Sequence, residues 1–66
     1  MGGKMKPGDR VQIAPRYDLW MMGDRYGTVT QVHVFSKQAT VEMDITGKLI
    51  KISMEDLINY GPSKLK

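Results

Sequence analysis

Cysteine is absent from this chain, so no disulfide can reinforce it and no thiolate can hold a metal. Histidine occurs once, as His33, which removes any multi-histidine metal site. No apolar run approaches the ~20 residues that a membrane-spanning helix needs. The opening Met1-Gly2-Gly3-Lys4-Met5-Lys6 has no hydrophobic stretch behind it, unlike a secretory signal. Lys6 also stands where a myristoylation motif wants Ser or Thr. A Walker loop, a Gly-rich dinucleotide turn and a Ser/His/Asp set are missing as well. The reading from these absences is a cytoplasmic chain that is not an enzyme and takes no cofactor, metal or membrane.

What remains is short. Sixty-six residues make one domain, and a chain of this size buries only about 60% of its unfolded surface. The net charge of +3 suggests nucleic acid until its distribution is read. Lys4, Lys6, Lys64 and Lys66 lie in the two ends, and lysine-tipped ends are usually solvated. Between Pro7 and Gly61, Arg10, Arg16, Arg25, Lys37, Lys48 and Lys51 face all seven acids, leaving the body one unit negative. The expected organisation is therefore a basic tail over 1–6, a globular body over 7–61 and a second basic tail over 62–66.

Within the body, period-two patterning predicts strands at Asp9–Ala14, Tyr26–Phe35, Gln38–Asp44, Leu49–Ser53 and Ile58–Tyr60. Val29, Val32 and Val34 include a step of three, which implies a bulge near Thr30-Gln31. Ser36-Lys37 and Thr46-Gly47-Lys48 read as turns, with Gly47 free to take positive φ. Ser53 can cap a single helical turn before the last strand, which Gly61-Pro62 should stop. Arg16–Arg25 has no period of two. A helical turn through Asp18–Met22 fits, but Pro15 and Gly23 favour a compact loop. The predicted core is Val11, Ile13, Val29, Val32, Ala39, Val41, Ile50, Ile52 and Leu57. The fold class is all-β: one five-stranded SH3-like barrel with a long first loop and a helical turn before the last strand.

Gly8-Asp9-Arg10-Val11-Gln12-Ile13, then Pro15, Tyr17 and Trp20, then Gly27-Thr28-Val29, resemble a known family. Its members are the small SH3-like subunit on the stromal face of photosystem I and the related variable chain of ferredoxin–thioredoxin reductase. Ile52-Ser53-Met54-Glu55-Asp56-Leu57 is similar to that family's closing strand, helical turn and acidic-Leu pair. The resemblance implies an accessory subunit of an electron-transfer complex, with Arg16 as the one basic position carried over. The Gly-Asp-x-Val entrance and later Gly-x-Val also resemble KOW-type barrels, which implies nucleic-acid binding.

Tyr17, Leu19, Trp20, Met21 and Met22 place five large apolar side chains within six residues of the loop. Leu19 or Trp20 with one Met can fold back as a lid over a small core, and the rest can stay exposed as an anchor for a partner. The expectation is a split, with Trp20 partly buried and Tyr17 and Met21 more exposed. Asp18 and Asp24 read as local Asx-turn residues. His33 faces out if Val32 and Val34 face in, and a solvated strand histidine is its expected role. The candidate partner-binding residues are Arg16, Tyr17, Trp20, Met21, Met22 and Arg25, and the first expectation is a protein partner. In the nucleic-acid alternative, Arg10, Arg16, Arg25, Lys48 and Lys51 meet phosphates while Tyr17 or Trp20 stacks on bases. Exposed strand edges could pair copies while outward Lys51 and Glu42 guard them, so a monomer or weak homodimer is expected.

Overall fold

The computed structural model describes residues 5–62, and there the alternating segments become five antiparallel strands. These are β1 Asp9–Ile13, β2 Tyr26–His33, β3 Gln38–Met43, β4 Leu49–Ser53 and β5 Leu57–Pro62. One helical turn, α1 (Asp18–Met21), lies inside the first loop, and a 3-10 turn, Met54–Asp56, precedes β5. The strands form one sheet in the order β4-β3-β2-β1-β5. Its ladder ends at β4 on one side and at β5 on the other, so the mostly-β fold is shown while closure into a barrel is not.

Alternation sorts the side chains as expected along β1 and β3. Val11 and Ile13, then Ala39, Val41 and Met43, are buried at 1% exposure or less. Seven of the nine predicted core residues are buried, and Val32 and Ile50 pack half-buried against them. Met43 and Leu19 complete the core. Ile50 is less covered than Ile52, although both lie on the edge strand β4. Ile52→Val should cost about 0.5–1.5 kcal/mol in urea denaturation and Ile50→Val less. The reverse ranking would contradict the facing of β4.

The expected irregularity in β2 is present. Val29 pairs with Val41 and Gln31 with Thr40, so Thr30 is the extra residue. Other boundaries differ from the sequence reading. β2 ends at His33, and Val34–Lys37 form the turn: the Lys37 N–H donates to Val34 O at 3.2 Å, with Lys37 at φ 58. Phe35, expected at a strand end, is wholly exposed on that turn. Gly61-Pro62 does not stop β5, because Pro62 pairs with Asp9 on an edge strand, whose outer side needs no N–H donor. Pro62 therefore belongs to the body rather than to the tail.

At the other end Met5 packs half-buried on the core, and the Lys6 N–H donates to buried Asp9 at 2.9 Å. Asn59 Nδ2 donates to the same carboxylate at 3.1 Å, so Asp9 ties β1 to β5. The remaining tail residues, 1–4 and 63–66, lie outside the described residues.

Candidate functional site

The first loop leaves β1 at Ala14 and Pro15 and returns at Tyr26, and it is held at three points. Leu19, on α1, is inserted into the core and only 9% exposed. Tyr17 donates its hydroxyl to Asp56 Oδ2 at 2.6 Å, and the Arg16 guanidinium pairs with the same oxygen, fastening the loop's start to the 3-10 turn. The Tyr17 hydroxyl, then Arg16, hold the Asp56 carboxyl below its ordinary value. The bond to Asp56 in turn raises the pKa of the Tyr17 phenol.

Asp24 fastens the loop's end, and its side chain is completely buried. Its carboxylate accepts the Ile45 N–H at 3.0 Å, the Thr46 N–H at 2.9 Å and the Thr46 hydroxyl at 2.7 Å. Burial alone would raise its pKa, but the three donors outweigh burial and keep the carboxyl below its ordinary value. The local Asx turn expected at Asp24 is thus corrected: its side-chain bonds cross to the β3–β4 turn. Gly47 completes that turn at φ +73, as its sequence position suggested. Thr46 is an anchor rather than a neutral turn residue.

Between these fixed points the loop presents what it does not bury. Met21 is 83% exposed and Met22 63%. Both follow Trp20 at the end of α1, where backbone bonds from the Met22 N–H to Asp18 and Leu19 close the turn. Trp20 is half-buried, as expected, with the Arg25 guanidinium 4.5 Å from its ring centroid. The Arg25 Nε–H also donates to Trp20 O at 3.3 Å. Two expectations are corrected. Tyr17 is half-buried rather than exposed because Asp56 takes its hydroxyl, and no methionine joins the lid, which Leu19 provides with Trp20 beside it.

The structure therefore brings Arg16, Tyr17, Trp20, Met21, Met22 and Arg25 onto one braced loop, with Arg16 and Tyr17 engaged as fasteners. It adds residues that sequence reasoning missed. An open groove of about 310 Å³ lies beside the loop, bordered by Ala14, Pro15, Trp20, Ile58 and the acids Glu55 and Asp56. On the outer face, Gln12 of β1 lies between Tyr26 of β2 and Ile58 of β5. Tyr60 donates its hydroxyl to Gln12 Oε1 at 2.6 Å, and its ring centroid is 6.3 Å from that of Tyr26. Tyr26, Ile58 and Tyr60 are each about half exposed, so apolar surface continues from the groove across three strands. Alternation in β1, β2 and β5 was the available signal. Gln12 and Tyr26 fall on the face opposite Val11, Ile13 and Val29.

The basic residues are partly engaged. Arg10 makes a two-pronged contact with Asp44, at 2.8 and 2.5 Å, and donates to Thr28 Oγ1 at 2.9 Å. His33 is half-buried rather than freely solvated, sharing a 2.9 Å hydrogen bond with the Thr40 hydroxyl. Among the described residues no group of three or more His, Asp or Glu is placed to hold a metal, and no helix is long and apolar enough to cross a membrane. No protein-family model matches the chain, and neither a curated protein nor a solved structure does so.

Proposed function

We propose that this chain is a non-enzymatic interaction module, of SH3-like type and at home in the cytoplasm, that binds another protein through the Arg16–Arg25 loop. The observation that carries the reading is the pairing of exposure with bracing. Met21 and Met22 stand at 83% and 63% exposure on a loop fastened by Leu19, Asp56 and Asp24. A braced loop loses little conformational freedom on binding, and methionine packs adaptably against an irregular partner surface. The nucleic-acid alternative calls on Arg10, Arg16, Arg25, Lys48 and Lys51 for phosphates. The three arginines are engaged with Asp44, Asp56 and Trp20, so of the five only Lys48 and Lys51 stand exposed with neither an ion pair nor a ring contact among the described residues, which favours the protein reading. The accessory-subunit reading is one form of the same proposal, with the partner a redox protein.

The test is capture from a lysate of the source cells with wild type and with the double variant Met21→Ser/Met22→Ser. Both side chains are exposed, so the melting curve should hardly change. Capture should fall by roughly 30-fold or more, the equivalent of about 2 kcal/mol. Equal capture by the two proteins would refute the proposal.

A further inference from the structure

We infer that the groove beside the loop takes an extended apolar peptide segment carrying one lysine or arginine, whose charge is met by Glu55. This inference deepens the loop reading and rests on it. The walls are apolar, from Ala14, Pro15, Trp20 and Ile58, so an occupant must bring apolar side chains. The ionisable groups that line the groove are both acids, Glu55 and Asp56; no lysine or arginine lines it. Asp56 is already engaged by Arg16 and Tyr17. Glu55 is exposed and makes no ion pair among the described residues. Arg16 on Asp56 and Arg25 over Trp20 flank the lining, but the carboxylate in it that has no ion partner is Glu55, which would repel a phosphate or carboxylate and meet a single ammonium or guanidinium.

The length of the occupant follows from the surroundings. The groove is open, and Gln12 at its edge leads directly to Tyr60 and Tyr26 on the outer face. Trp20, also in the lining, is followed in the chain by exposed Met21 and Met22. Apolar surface thus extends past the Gln12 edge of a groove with room for only a few side chains. That shape suits a segment passing through it better than a compact small molecule.

A random linear dodecapeptide display library tests this without presuming a sequence. Panning on the intact chain should enrich apolar peptides containing Lys or Arg, and the same panning on Glu55→Lys should lose them. Trp20 is the sole tryptophan, so its emission reports binding of a synthesised winner at the groove. Affinity should fall at least tenfold with Glu55→Gln, and at least tenfold when the peptide's basic residue is changed to Glu.

A consensus lacking a basic residue, or one retained by Glu55→Lys, would overturn the inference. It would also fall if a ten-residue oligothymidylate shifted Trp20 emission at lower concentration than any selected peptide. A concentration-dependent shift of the protein alone would make the occupant a second copy and would overturn it equally. Loss of capture with Met21→Ser/Met22→Ser, combined with no charge requirement in the peptides, would remove this inference and leave the loop reading standing.

Discussion

Asp24→Ala should lower the stability of this domain by about 2–4 kcal/mol, because it strands two backbone N–H groups and one hydroxyl that now share a buried carboxylate. A chain of this size has a total on the order of 3–10 kcal/mol, so the loss should be a large fraction of it. Asp24→Asn should recover only part of the loss, since its amide turns a donor toward donors.

The effect has a pH signature whose sign is set by the lowered pKa. The folded carboxyl titrates below its unfolded value of about 3.8, so its stabilisation is complete above that value. Stabilisation is then lost as pH falls from there through the folded pKa. Wild type should therefore weaken on acidification through this window, and Asp24→Ala should show a flatter profile there. Urea midpoints at pH 6 and pH 3 check both statements. A variant within half a kcal/mol of wild type at pH 6 would mean that the three contacts contribute nothing net.

Gly27→Val should be comparably damaging, by about 3 kcal/mol or more, because it overfills a closed space. A Cβ at position 27 would lie 2.5 Å from Val41 Cγ1 and 2.7 Å from the Glu42 carbonyl oxygen. The side chain of Val41 could shift, but the Glu42 carbonyl belongs to the neighbouring strand's backbone. The obstruction comes from β3 rather than from the first loop, the neighbour that sequence position alone would suggest. The second-site change Val41→Ala should relieve only the contact with Val41 Cγ1. A Gly27→Ala protein that melts with wild type would show that β2 and β3 can separate locally at no cost.

These two residues mark where the sequence was legible and where it was not. Strand positions and the Thr30 bulge followed from side-chain alternation and the Gly47 turn from its residue types, all of them local properties. The cluster at 17–22 was visible as an excess of large apolar residues in a segment without a strand period. Its division into inside and outside was not visible, because burial of Leu19 rather than a methionine depends on how α1 meets the core. Asp24 meets Thr46 across 22 positions and Tyr17 meets Asp56 across 39, and no local pattern connects such pairs. An acid between Gly23 and Arg25 looks like a turn residue until a second turn is brought over it. The groove was out of reach for a related reason, since β1, the loop, the 3-10 turn and β5 each supply part of its lining.

The attachment of the first loop at both ends bears on how this chain could change over time. Its path is set by Tyr17, Leu19 and Asp24, while Met21 and Met22 contribute almost nothing to holding it. Substitutions at 21 and 22 should therefore be nearly free of selection for folding. Descendants could acquire different recognition preferences on an unchanged frame, and a laboratory library randomised at these two sites should remain folded while its binding diverges.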